Sequence, residues 1–390
     1  MHRLWEREAA APVWRQGGQV VVADHALVRR VLNDQAAFAP DNALDAVTPV
    51  PVAALRVLSR NGFRLPATLA NNGTDTHPAL RAIVGEAMTP ARVDALRPWL
   101  TGVVRRRVAG LSARLREGGT VDLYDTLAAD LPLLALARLI SMPAQDVAVV
   151  KAFSRAALEL FWAPLDTPRQ ERLAHIVGEH HARLRELART APEGLVADLR
   201  AHCGPGGEDQ VVAALFFLLV AGQETTSQFL TLLLHRLATE PDVCDGLADG
   251  RHEVADVVEE GLRLVPPIVS WRRVAAGDTE LGGLRVHAGE SVLLWLGAAG
   301  RQAASGDFTP GRRGSRRHLA FGAGAHRCLG AHLARMESAV VVAEAAPLLR
   351  GAEVVKAPDC PDNMSFRMPD ALVITKSRTA PRSASPERRR

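Results

Sequence analysis

The chain has 390 residues, 47% hydrophobic and 23% charged, enough to bury a sizeable core in one large globular body. Its formal charge of +4 resides at one end: residues 377–390 hold five arginines and one glutamate, and the remainder carries 42 basic and 42 acidic residues. A neutral body argues against nucleic-acid binding, and the sequence reads as a single domain over 1–376 followed by a disordered basic tail over 377–390.

Four widely separated cysteines, Cys203, Cys244, Cys328 and Cys360, show no disulfide or zinc spacing and suit a reducing compartment. No secretory signal, internal repeat, linker or run of about twenty apolar residues is evident, so a cytoplasmic protein without membrane contact is expected.

In chain order, the pattern predicts a strand over 19–22 and a helix over 24–32. Helical patterning follows over 92–115, 127–140, 143–158 and 169–189, with Pro143 suited to a first helical position. The most apolar helix covers 211–237, and a helix carrying Glu260 stops before Pro266 and Pro267. Strands follow over 279–286, interrupted by Gly282 and Gly283 as a turn or bulge, and over 291–296. A last helix presents Leu329, Leu333, Met336 and Val340 as an apolar stripe, with Arg335 and Glu337 off it. The fold class is mainly α with a small β region.

That last helix is entered from Phe321-Gly322-Ala323-Gly324-Ala325-His326-Arg327-Cys328-Leu329-Gly330. The glycines permit close approach, while the free N–H groups and dipole of the helix start favour a thiolate able to bind a metal. An isolated cysteine is otherwise a small buried hydrophobe. Within the apolar helix, Ala221-Gly222-Gln223-Glu224-Thr225-Thr226 is a polar interruption. Glycine is costly there and a threonine hydroxyl can bond the carbonyl four residues back, so the helix is expected to widen or bend and open a groove. Glu260 and Arg263 lie three apart; as a surface pair they would contribute ~0.5 kcal/mol. His77 and Arg81 share one face of a helix that Pro78 can start, and Arg273 and His326 add donors suited to carboxylates.

The cysteine loop resembles, without mismatch, the haem-ligand signature of the cytochrome P450 family, and the other motifs follow in family order up to about Thr375. The resemblance implies a triangular helical prism enclosing haem b. Cys328 would be the iron's axial ligand, within a cofactor site that includes Phe321, Gly322, His326 and Gly330. Glu224 and Thr225 would relay protons, Ala221 and Gly222 would leave room for dioxygen, and His77, Arg81, Arg273 and His326 would meet the propionates. Glu260 and Arg263 would be structural, completed by Arg312 or Arg313. One departure is Gly300-Arg301-Gln302, where many relatives have Asn-Arg-Asp.

By the same resemblance the substrate pocket draws on residues 38–72, including Asn71 and Asn72, on Phe161, Trp162, Phe217 and Val220, on Ile268, Val269 and Trp271, and on Met364 and Phe366. The implied activity is a haem-thiolate monooxygenase using O2 and electrons from NAD(P)H through separate ferredoxin and ferredoxin reductase, since no flavin or nicotinamide domain fits in the chain. The stretches 40–44 and 69–72 look similar to actinobacterial enzymes that modify peptide-derived natural products. This points to hydroxylation or oxidative aromatic coupling of a small peptide-derived or cyclodipeptide substrate in secondary-metabolite biosynthesis. Alternatives are a hydroxylase of a macrolide, polyketide or terpene, a peroxide-driven or isomerising relative, and a non-enzymatic haem sensor.

Overall fold

The computed structural model describes residues 2–142, 147–304 and 306–376; Pro143 and the 377–390 tail lie outside them. The α-helices among these residues are α1 (His25–Asn33), α2 (Val52–Arg60), α3 (His77–Ala87), α4 (Pro90–Ala95), α5 (Arg97–Arg116), α6 (Leu131–Leu139), α7 (Val147–Trp162) and α8 (Thr167–Thr190). They continue with α9 (Leu195–Cys203), α10 (Glu208–Leu219), α11 (Thr225–Thr239), α12 (Pro241–Ala248), α13 (Val254–Leu264), α14 (Leu296–Gln302) and α15 (Ala331–Leu349). The strands are β1 (Val13–Gln16), β2 (Gln19–Val22), β3 (Phe38–Ala39), β4 (Val121–Asp122), β5 (Trp271–Ala275), β6 (Thr279–Leu281), β7 (Leu284–Val286), β8 (Ser291–Leu294), β9 (Ala352–Lys356) and β10 (Val373–Lys376).

Local chemistry accounts for many boundaries. Asp24 caps α1 by accepting from Leu27 N, and the helix buries Val28, Val31 and Leu32 against the sheet. The 92–115 pattern is two helices because Pro90 and Pro98 each stand in a first turn, with the break at Leu96. The 127–140 pattern is likewise divided: a π turn over Tyr124–Ala128 precedes α6. Gly282 and Gly283, both at positive φ, form the turn joining β6 to β7, so the 279–286 segment is a hairpin.

Five strands form one sheet in the order β1-β2-β8-β5-β3, with β2 and β8 parallel and the other pairs antiparallel. A second sheet runs β4-β10-β9. In β5, side chains alternate between faces, so Trp271 and Arg273 share one face while Arg272 takes the other and donates to the Ala43 and Asp45 carbonyls.

Residues 208–239 form one continuous helical run, α10, a π turn over Val220–Glu224, then α11. By length and composition this run could cross a membrane, contrary to the sequence expectation, but 72% of its apolar window is buried inside the fold. It is apolar nearly all round because helices surround it. Glu337 also departs from expectation: it is buried at 2% exposure, since the face of α15 that packs on α11 is wider than the Leu333–Met336–Val340 stripe. Burial raises its carboxyl pKa well above the ordinary range, against the opposing Thr226 hydroxyl.

Glu260 and Arg263 are both fully buried, where the sequence alone allowed a surface pair. The guanidinium donates to both carboxylate oxygens at 2.9 and 2.7 Å and also reaches the carbonyls of Arg301, Ala304 and Asp307. Glu260 accepts from Thr309 N at 3.1 Å, and Arg312 is anchored on the same threonine's hydroxyl at 2.7 Å, whereas Arg313 is exposed. Removing one partner of such a buried pair costs about 3–5 kcal/mol. In the departing segment, Gln302 accepts from His25 N at 2.9 Å and ties α14 to the start of α1.

His180 on α8 is buried, stacks on Phe153 at 4.1 Å, and has its pKa lowered to about 4 by burial, reinforced by Arg183 and His181. The folded state therefore holds it neutral while the unfolded chain protonates it near 6.5. Its contribution to stability is complete above pH 6.5 and is lost as pH falls toward 4, by up to roughly 3 kcal/mol. Chemical denaturation at stepped pH should show this loss, and His180→Phe should flatten the slope; an unchanged slope would contradict the assignment.

Candidate cofactor and substrate site

The cysteine loop is held by its backbone. Cys328 N donates to Phe321 O at 2.9 Å, and Gly322 and Gly324 adopt φ of 64° and 71°. A Cβ on Gly324 would stand 2.4 Å from Leu32 O, so the loop packs directly on the end of α1. Cys328 retains accessible surface, yet burial within the surrounding protein raises its thiol pKa. The Gly330 N–H and the cations Arg81, Arg327 and Arg335 oppose that rise. Arg81, on α3, donates to Arg327 O at 2.6 Å.

His77, Arg81, Arg273 and His326 converge. The His77 and His326 rings lie 4.2 Å apart, and His77, Arg273 and Arg81 all act on the His326 charge. Burial first, then these neighbours, push the His326 pKa down to about 4, and burial pulls Arg273 down to about 10. Three buried nitrogens here, His77 Nε2, His326 Nε2 and Arg273 Nε, have no hydrogen-bond partner within the described protein. Arg273 Nε–H is a buried donor without a partner, while His326 Nδ1 donates to Leu69 O, so its Nε2 becomes a donor only when the ring is protonated; a buried guanidinium with a free N–H beside two imidazoles fits the carboxylates of haem propionates.

The polar interruption of the central helix has the anticipated form. Thr225 Oγ1 donates to Ala221 O at 2.7 Å, and the π turn spans Val220–Glu224. Ala221, Gly222 and Thr225 are half-buried while Gln223, Glu224 and Thr226 are buried, so one face of the bulge stays open. Glu224 is engaged elsewhere: its carboxylate meets Lys151 Nζ at 2.7 Å and Arg155 at 3.8 Å, both on α7, and accepts from Gln223 Nε2 at 3.2 Å. Burial lowers the Lys151 pKa against the pull of Glu224. Neither α7 cation was singled out from the sequence, because the contact links residues about seventy positions apart.

Of the residues expected to line a substrate pocket, Trp162, Val220 and Phe366 belong to the main core cluster, and Phe161, Phe217, Ile268 and Trp271 pack against it. Trp162 and Trp271 stack at 6.1 Å, and Phe366 stands edge-on to both at 5.0 and 6.3 Å, forming an aromatic wall. It is fixed by the Ile268–Phe366 bridge, by Met364 N donating to Trp162 O, and by Asn363 Oδ1 accepting from Ser365 N and Phe366 N. Val269 and Met364 do not join this wall; they pack in a separate cluster with Leu4 and Trp295. Asn71 and Asn72 are engaged locally: Asn71 Oδ1 accepts from Thr68, Asn72 Oδ1 accepts from Thr74, and Asn72 Nδ2 donates to Thr76 Oγ1. These side chains staple their own turns.

A second carboxylate on α13 went unremarked in the sequence. Glu259 accepts from Arg335 at 2.5 and 3.1 Å and pairs with His318 at 3.2 Å. Burial would raise its pKa, but the hydrogen bonds from His318 and Arg335 outweigh that and hold it at about 2.

Residues 169–376 match the family model described as Cytochrome P450. The chain is 31% identical over 349 residues to the erythromycin C-12 hydroxylase of Saccharopolyspora erythraea, covering 85% of this chain and 83% of that protein. It is 30% identical to cytochrome P450 109 of Bacillus spizizenii, covering 68% of each. Among solved structures, cytochrome P450 CREJ in complex with (4-ethylphenyl) dihydrogen phosphate superposes with a TM-score of 0.88 at 28% identity, covering 96% of this chain and 95% of that one. With its helical body, small sheets and cysteine loop in this arrangement, the chain belongs to the cytochrome P450 family.

Proposed function

We propose that this cytochrome P450 monooxygenase oxidises a compact aromatic, peptide-derived molecule in secondary metabolism, by hydroxylation or aromatic coupling, and that Cys328 would hold the iron of its haem b. The aromatic wall of Trp162, Trp271 and Phe366 carries the substrate reading. Planar rings meet aromatic substrates with an extra ~0.5–1.5 kcal/mol per contact beyond burial. An aryl ligand in a solved relative, (4-ethylphenyl) dihydrogen phosphate, is consistent with a pocket of this class. A macrolide substrate is the second reading, favoured by likeness to the erythromycin C-12 hydroxylase over 85% of the chain.

The bound haem supplies dioxygen activation, with electrons that come from NAD(P)H through redox partners, here taken to be ferredoxin and its reductase in the cytoplasm. Cys328 holds the iron, and Gly330 N–H and nearby cations stabilise its sulfur charge. His77, Arg81, Arg273 and His326 would hold the propionates, Arg273 through a buried Nε–H that has no partner in the described protein. Thr225 keeps its hydroxyl proton on Ala221 O, which leaves the oxygen's lone pairs free to accept a hydrogen bond on the open face of the bulge. Glu224 can deliver a proton only after parting from Lys151 and Arg155.

Difference spectra over a compound panel test the substrate reading. Aromatic cyclodipeptides or short aromatic peptides should bind, and Trp271→Ala should weaken them roughly tenfold; binding of macrolides or terpenes alone would overturn it. Thr225→Ala should cut product formation roughly 100-fold while electron consumption persists, with Thr225→Ser retaining most activity. Equal turnover of Thr225→Ala with oxygen, or wild-type turnover with hydrogen peroxide alone at the full rate, would contradict the assigned role.

A further inference from the structure

The Glu259 cluster joins both ends of the cysteine loop. His318 lies ahead of Phe321, and Arg335 lies in α15, beyond Cys328. Ala320 N donates to His318 Nδ1 at 3.2 Å, so the ring proton sits on Nε2 and is directed at Glu259 Oε2 at 3.2 Å. On the other side Arg335 gives a two-bond fork to the same carboxylate. The guanidinium carbon of Arg335 also lies 4.4 Å from the centre of the Phe321 ring, and His318 stands 5.9 Å from that ring. Phe321 in turn offers the carbonyl that accepts from Cys328 N at 2.9 Å. Among these groups Glu259 and His318 are buried, at 7% and 2% side-chain exposure, so water competes little for the contacts.

We propose that Glu259 is a positioning residue for the Cys328 ligand: it clamps His318 and Arg335, and through Arg335 on Phe321 it fixes the backbone that holds the cysteine. The geometry differs from that of the neighbouring Glu260, whose partners are Arg263 and the 301–309 segment rather than the loop itself. Glu259 also balances the positive charge of Arg335, which acts on the Cys328 sulfur. Losing the glutamate charge leaves that cation less compensated and favours the reduced, more negative haem site.

This inference rests on Cys328 being the ligand, as proposed above. Haem-loaded Glu259→Gln and Arg335→Lys proteins are compared with the parent, using the red-shifted thiolate band of the reduced carbon-monoxide complex, the haem midpoint potential and thermal unfolding by circular dichroism. Arg335→Lys keeps the charge but loses the fork and the ring stacking. Conversion from the thiolate form to the neutral-thiol form should be at least threefold faster in both variants at temperatures where each is fully folded. The Glu259→Gln potential should also shift positively, and Glu259→Asp should recover part of both effects. If Glu259→Gln does not fold, the Arg335→Lys conversion rate decides. Variants that only melt earlier, with parental conversion rate and potential, would overturn the inference; a parent lacking the thiolate band would instead overturn the ligand assignment on which it rests.

Discussion

Two adjacent carboxylates on α13 are the constraint on which the site depends. Glu260 and Arg263, fully buried, gather the carbonyls of Arg301, Ala304 and Asp307 and the N–H of Thr309. Glu259 gathers His318 and Arg335. The described residues between α14 and α15 have little regular structure, so their backbone groups need partners outside the usual ladders. Charged side chains supply them, and desolvation makes each contact costly to break. The segment that leads into Cys328 is thereby tied to α13 through Thr309, His318 and Arg335.

Electrostatics then divides the site. On the cysteine side, burial works against a thiolate, and Gly330 N–H with Arg81, Arg327 and Arg335 works for it. Around His77, Arg273 and His326 the balance favours an anion, since the Arg273 guanidinium is buried there with an Nε–H that has no partner in the described protein. On the central helix, Lys151 and Arg155 hold the Glu224 charge within the protein while the hydroxyl of Thr225 sits on the open face of the bulge. The cysteine loop carries both Cys328 and His326, Arg81 on α3 acts on both, and the central helix supplies the open bulge.

Much of this was legible because the informative features are local. The strand over 19–22 is a short run of valines that follows Gly17 and Gly18, and the observed β2 has those bounds. The cysteine loop, the Glu260–Arg263 spacing and the Thr225 back-bond each depend on residues within ten positions of one another. What escaped the sequence depends on distant partners. Nothing near Glu224 identifies Lys151 or Arg155, and Glu259 differs from an ordinary helix-surface acid only through His318 and Arg335. The side-chain oxygens of Asn71 and Asn72 hold their own turns, a local bond that short polar side chains commonly make and that spacing alone did not show. Val269 and Met364 adjoin wall residues in sequence, yet they pack with Leu4 and Trp295 in a separate cluster. Glu337 escaped because the width of a buried helix face depends on what packs against it, and α11 reaches further round α15 than the apolar stripe suggested.

The ligation of haem iron by Cys328 is tested most directly by the spectrum of the reduced, carbon-monoxide-bound protein. The account predicts a red-shifted thiolate band in the folded, haem-loaded parent and its loss in Cys328→Ser protein that still folds and retains haem. Absence of the band from the folded parent, or its persistence in Cys328→Ser, would contradict the account.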